Sequence, residues 1–402
     1  MTAIFNNNRH FPARMMIKKS LTSGLLILTI GLTLHLTCPA QEITVPDDNH
    51  RVVLNPDEPR YYISNEISGI VESVAEGNSD NQNADRETFD LIQMRQAAGR
   101  GDTKAQYSLG VAYFKGKGVQ KDYKEAVKWS LKAAEQGNAQ AQYNLGVAYF
   151  HGDGVKKSYN EGVKWFRKAA GNNNVKAQYY LGIAYSHGSG VEKSETEAVK
   201  WFQKAAEQGN TRAQFKMGNA CCNGRGVEQN YTEAIKWYRQ AADQGDAQAQ
   251  YNLGVAYSDG RGVKKSGPEA VKWYRQAAEQ GDVDAQSNLG SAYYTGQGVE
   301  QNFIEAIKWF QRAAAQGNAE AQYNLGVVYD AGQGVEKNYM EAAKWYRRAA
   351  AQGLAEAQFN LGSCYVNGEG VEKNEKEAKN WFRRAADQGH KNAIEALRKI
   401  QK

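Results

Sequence analysis

Along most of this chain, small and apolar residues return in two alternating phases, each with a helical period. From Ala139 to about His151, Ala141, Leu145, Ala148 and Tyr149 gather on one side at about 100° per residue, which predicts a helix with that side buried. A second kind of stretch sets Ala126, Trp129, Ala133 and Ala134 on an inner face and leaves Lys124, Lys128 and Lys132 outside. Glycine, as at Gly152, ends the first helix. The second opens on a capping box, a polar residue followed three positions later by glutamate. Asp122/Glu125, Ser158/Glu161, Ser194/Glu197, Asn230/Glu233, Ser266/Glu269, Asn302/Glu305, Asn338/Glu341 and Asn374/Glu377 all obey it. Pro268 falls in the first turn, where its missing N–H costs little.

This helix–turn–helix unit recurs with a period of 36 residues, marked by Trp129, Trp165, Trp201, Trp237, Trp273, Trp309, Trp345 and Trp381. A fixed period of about 20 to 50 residues signals stacked repeats, because one unit cannot bury its apolar face alone. The fold class expected is all-α, a solenoid of eight units over about residues 103–392. Residues 390–402 then form a capping helix, with Ala393, Ile394, Leu397 and Ile400 covering the last unit. Most units close on Gln-Gly, but the second ends "GNNN" at 171–174, so a looser joint is expected there. The stretch "GDGVKKS" at 152–158 resembles a phosphate cradle only superficially. Its glycine pair and valine recur in every unit as an interhelical turn, no strand precedes it, and no glycine stands directly before the lysine.

Leu-Gly within the first helix, Gly-Xaa-Gly-Val between helices, and Glu-Ala followed by Lys-Trp-Tyr in the second resemble the Sel1-like repeat family, a relative of the tetratricopeptide repeats. The resemblance implies a right-handed superhelix of helix pairs acting as an adaptor for other proteins, often secreted or periplasmic in bacteria. Some relatives staple each unit with a disulfide. This chain departs from them, since beyond residue 40 it has only Cys221, Cys222 and Cys364. Cys221 and Cys364 read as core fillers, and Cys222 as the more exposed thiol.

Positions alike in all units answer to stacking: those of Ala141, Gln142, Leu145 (Met217 in one copy), Gly146, Val155 and Trp165. Glycine inside a helix costs about 1 kcal/mol against alanine, so close helix approach is its expected reason. A structural hydrogen bond is expected for the glutamines from Gln106 to Gln358, and core burial for the tryptophans. Variable positions are the site candidates. A stripe of Gln140, Tyr143, Asn144, Val147 and His151 reads as lying opposite the core, the face that lines the concave groove in tetratricopeptide relatives. The position before the leucine runs Ser108, Asn144, Tyr180, Lys216, Asn252, Asn288, Asn324, Asn360. Four successive asparagines resemble the ladder by which some relatives grip an extended peptide; a carboxamide both donates and accepts, so it can pair with any backbone. The alternative is that asparagine merely suits a turn-proximal surface. Tyr143, Tyr251 and Tyr323 stand beside this row. The Gln140-equivalent position runs Lys104, Gln140, Lys176, Arg212, Gln248, Asp284, Glu320, Glu356, basic at first and acidic later, which would orient a dipolar ligand.

Composition changes this picture little. The 402 residues carry a formal charge of +6, which hides a segment at 41–90 with 12 acidic and 3 basic side chains. Residues 91–402 form the solenoid with 43 basic and 32 acidic side chains, spread too evenly for nucleic acid binding. Residues 41–90 show no sustained period and are expected to be flexible, with the option of folding into the basic half of the groove. Residues 1–40 read as a signal peptide, starting at Met1, Met15 or Met16: Lys18 and Lys19, an apolar run from Leu21 to Leu36, and Cys38 and Ala40 before the cut. The protein is therefore expected in the periplasm or outside the cell, or, if uncleaved, anchored in the inner membrane by that segment alone. No cofactor is expected, and no metal, since His151 and His187 alone make a poor site. Expected partners are a protein or extended peptide, and the chain is expected to be monomeric. An enzyme, such as the β-lactam hydrolases ascribed to some cysteine-rich relatives, is the contrasting reading, but no nucleophile elbow, Ser-Xaa-Xaa-Lys at an open pocket, or His-Glu-Xaa-Xaa-His supports it. A glycan-binding envelope protein is a further alternative.

Overall fold

The computed structural model describes residues 81–400; residues 1–40, read as a signal peptide, and most of 41–90 lie outside them. Among the described residues there are 18 α-helices and no strand, in an all-α solenoid arrangement. They fall into two compact units, 81–230 and 231–400. The first holds α1 (Asn81–Gly99), α2 (Thr103–Lys115), α3 (Tyr123–Glu135), α4 (Ala139–His151), α5 (Tyr159–Gly171), α6 (Val175–His187), α7 (Glu195–Glu207) and α8 (Thr211–Asn223). The second holds α9 (Tyr231–Asp243), α10 (Ala247–Asp259), α11 (Gly267–Glu279), α12 (Val283–Thr295), α13 (Phe303–Ala315), α14 (Ala319–Ala331), α15 (Tyr339–Ala351), α16 (Ala355–Asn367), α17 (Glu375–Asp387) and α18 (Lys391–Ile400). Within each unit every helix packs on the next in sequence.

The helix ends follow the sequence signals. Ser158, Ser194, Ser266, Asn302, Asn338 and Asn374 each accept the backbone N–H three residues on, and Asp122 accepts two. Glycines from Gly116 to Gly368 close the first helices in the left-handed conformation. The first helices carry a cap that the periodicity does not announce. Asp102, Asn138, Asn174, Asn210, Asp246, Asp282 and Asn318 cap them, whereas Leu354 supplies no side-chain bond.

The repeat core is an aromatic ring set against a glycine. Phe166, Phe202, Tyr274, Phe310, Tyr346 and Phe382 follow the tryptophan in their helices and lie over Gly146, Gly182, Gly254, Gly290, Gly326 and Gly362. A methyl group on Gly326 would lie 2.5 Å from the Tyr346 ring, so the close approach expected at these glycines is the observed one. The tryptophans differ from the expectation. Only Trp273 and Trp309 are buried; the others sit half-buried on the second helices. Cations one turn on roof several of them, as Lys168 does over Trp165 at 4.0 Å and Arg348 over Trp345 at 4.6 Å.

The glutamines tie neighbouring units together. Gln142 Nε2 donates to Ala134 O at 3.0 Å, and its Oε1 accepts from Asn172 Nδ2 at 2.9 Å. Gln250 donates to Ala242 O at 3.1 Å and accepts from Gln280 at 2.7 Å. Gln286, Gln322 and Gln358 repeat the arrangement. The joint at 171–174 differs: Asn172 replaces the usual glutamine as donor to Gln142, Asn173 takes the left-handed conformation, φ 62°, that glycine adopts elsewhere, and Gln178 Nε2 donates to Asn173 Oδ1 at 3.4 Å where its equivalents reach a backbone carbonyl. Helix α1 begins at Asn81, inside the stretch expected to lack regular structure, and Ala98 O accepts Gln106 Nε2 just as a second helix would. At the other end α18 covers α17, with Ala393 buried and Leu397 and Ile400 packed against Phe382.

Candidate functional site

The proposed stripe lies on the first helices, and these are more enclosed than their sequence pattern suggests. In α4 every residue from Ala141 to Ala148 is buried, with Tyr143 1% and Asn144 0% exposed. Tyr143 lies tilted against Phe166 and Tyr180, with ring centroids 5.7 and 6.0 Å away. Tyr143, Asn144 and Val147 therefore do not lie opposite the core. A helix flanked by its own partner helix and by neighbours on both sides has no wide wet face, so periodicity alone misplaces its polar side. Of that stripe, Gln140 is half-buried and His151 exposed.

In the unit 231–400, Asn252, Asn288, Asn324 and Asn360 occupy one register position on α10, α12, α14 and α16. Asn252 and Asn324 are buried at 2% and 3% exposure, and Asn288 and Asn360 are half-buried. Asn288 stands beside the Tyr274 hydroxyl, and Asn360 beside those of Tyr323 and Tyr346. Asn252 has no hydrogen-bond partner for either carboxamide atom, and Asn324 has none for Oδ1. Half-buried Tyr251 lies against Tyr274 at 6.1 Å, and buried Tyr323 against Tyr346 at 5.9 Å. Burial pushes the hydroxyls of Tyr251, Tyr274, Tyr323 and Tyr346 above the usual phenol range, so all four are neutral.

The charged candidates separate by unit. Lys176 and Arg212 are exposed in 81–230, where partial desolvation, then the Arg212 charge, lowers the Lys176 ammonium. In 231–400, Glu320 is half-buried and Glu356 is buried at 8% exposure. Two features of this face escape the sequence reading. One is the hydroxyl of Tyr274 and Tyr346 where Phe166, Phe202 and Phe310 have none; the alternation of tyrosine and phenylalanine after the tryptophan is its only trace. The other is Asp282, the α12 cap, which adds a carboxylate beside Asp284.

The cysteines read as core fillers are buried free thiols, Cys221 and Cys364. Cys222, expected to be the more exposed, is buried at 6% exposure on the first helix α8. Among the described residues no group of three or more His, Cys, Asp or Glu is placed to hold a metal ion. Nor is any helix among them long and apolar enough to cross a membrane.

No curated protein matches the chain. Among solved structures it is similar to c5321 of Escherichia coli, a protective antigen present in uropathogenic strains and displaying an SLR fold. The two share 40% identity with a TM-score of 0.72, over 76% of this chain and 66% of that one. The chain thus spans about two thirds of that protein's length. It is also similar to a Sel1 repeat protein from Oxalobacter formigenes, at 30% identity and TM-score 0.59, over 89% of this chain and 98% of that one. The family model for the Sel1 repeat matches residues 103–138, 139–174, 175–210, 211–246, 247–282, 283–318, 319–354 and 355–390. With eight consecutive matches and the helix pairs to go with them, the chain belongs to the Sel1 repeat family.

Proposed function

We propose that the protein is an exported, non-catalytic adaptor that binds an extended segment of a protein partner along the first helices of its repeats. The observation that carries this reading is the asparagine row of 231–400, where Asn252 and Asn324 keep buried carboxamide atoms without partners. A buried polar group left unmet costs about 1–3 kcal/mol, and a peptide backbone offers both the donors and the acceptors that would meet it. Tyr251 and Tyr323 beside the row supply apolar surface for the segment's side chains. Export rests on the basic and apolar pattern at Lys18, Lys19 and Leu21–Leu36, and an envelope or secreted location agrees with a relative that is a protective antigen.

The test is a crosslinking pull-down from envelope extract with wild type and N252A/N288A/N324A/N360A side by side. The quadruple variant is expected to keep its helical circular dichroism and lose the captured partner. An unchanged catch removes the row from any role.

A further inference from the structure

The helix that closes the array is fastened differently from the helices it resembles. α18 takes the place that a first helix holds in a complete repeat and packs on α17 through Ala393, Leu397 and Ile400. The glutamine that joins the other first helices to the repeat before them is replaced here by Ile394. The cap differs too. Earlier first helices open on asparagine or aspartate, Leu354 excepted, as Asn318 does by accepting Ala321 N at 2.8 Å. α18 opens on His390, whose Nδ1 accepts Ala393 N at 3.2 Å. An imidazole nitrogen accepts only while it carries no proton, so this cap, unlike a carboxamide, can be switched off.

The surroundings of the ring bear on that proton. His390 is half-buried and stacks on Phe359, with centroids 4.8 Å and planes 25° apart. Burial holds the imidazole below its usual range, and the Glu356 carboxylate of α16 opposes this in part. Glu356 is the one charged side chain acting on the ring among the described residues. It stands to His390 as Asp284 stands to Asn318, where the Nδ2 of the cap reaches the carboxylate at 3.2 Å. Protonation thus removes the acceptor and draws the ring towards Glu356. It also sets a cation at a helix N-terminus, against the macrodipole.

We propose that α18 is an acid-released end cap, which covers the array while His390 is neutral and opens from α17 when the imidazole takes up a proton. The folded ring holds its proton less tightly than the unfolded chain does. Its contribution to docking is therefore present above about pH 6.5 and is lost as pH falls below that value. Opening bares Phe359, Phe382 and Ala385, so in acid the chain gains an apolar end surface that α18 covers at neutral pH.

Hydrogen–deuterium exchange of the full chain, read by mass spectrometry at about pH 7.5 and about pH 5 with intrinsic rates corrected, tests this. In wild type the amides of 394–400 should open about fivefold more readily at the lower pH, the size of one lost cap, relative to those of α14. H390N, which can cap as Asn318 does but does not titrate, should stay protected at both pH values. H390A should be open at both. Protection in wild type that ignores pH overturns the proposal, as does H390N loosening in acid as wild type does. H390N open at both pH values would assign the hold to the Phe359 stack instead of the cap, and H390A as protected as wild type at neutral pH would show that the cap holds nothing. Either result also overturns it.

Discussion

Asp282 shows how one side chain can serve its helix and strain its surroundings. It caps α12 by accepting Ala285 N at 2.8 Å, yet burial, with the Asp284 charge, pushes its carboxyl up to about 6. A carboxyl that holds its proton more tightly folded than unfolded lends stability at low pH and loses it as pH climbs from about 4 to about 6. Asparagine caps as well as aspartate and does so at the equivalent Asn138, Asn174, Asn210 and Asn318. D282N should therefore raise stability by about 1 kcal/mol at neutral pH, and by much less at about pH 4. Thermal melts at the two pH values check this, and an equal shift at both would mean that charge burial is not the cause. The glutamine bonds were legible in the sequence because a residue repeated in every unit must serve what all units share. The Asp282 environment was not, because it depends on which acids the neighbouring repeat places beside it.

At the scale of the element, the glycine–ring contact sets how closely a helix pair can pack. Alanine is the better helix former by about 1 kcal/mol, so an unconstrained G326A would stabilise α14. Here its methyl would stand 2.5 Å from the Tyr346 ring, and the variant should instead lose about 1–3 kcal/mol by overpacking. Chemical denaturation measures this, and adding Y346A should weaken the penalty of the glycine change. A gain in stability from G326A alone would show that the ring moves aside freely. The helix boundaries were readable from caps and glycines, which act within a few residues. The faces were not, because burial on several sides hides the wet stripe that periodicity seeks. Helix α1 was missed as well, although Arg95–Asp102, "RQAAGRGD", nearly repeats Arg239–Asp246, "RQAADQGD". Without a tryptophan it fell outside the period.

For the whole molecule, the array and the segment ahead of it ask different questions. If export occurs as proposed, the mature chain begins at Gln41. Mass spectrometry of the N-terminal peptide from envelope or culture fractions checks this, and an intact leader on the cell-associated protein would instead favour anchoring. The array itself was legible because eight copies average away local irregularity; the proposed ligand face was not, since it is built from the residues that escape the repeat. The glutamine bonds of Gln250, Gln286, Gln322 and Gln358 carry one last implication. Each of these repeats of 231–400 greets its neighbours with the same donor on one flank and the same acceptor on the other. Excising 36 residues between two of these seams would bring a like pair of hooks together again. Length is thus a dial that insertion or loss of one period within 231–400 can turn while the joints there keep their fastening.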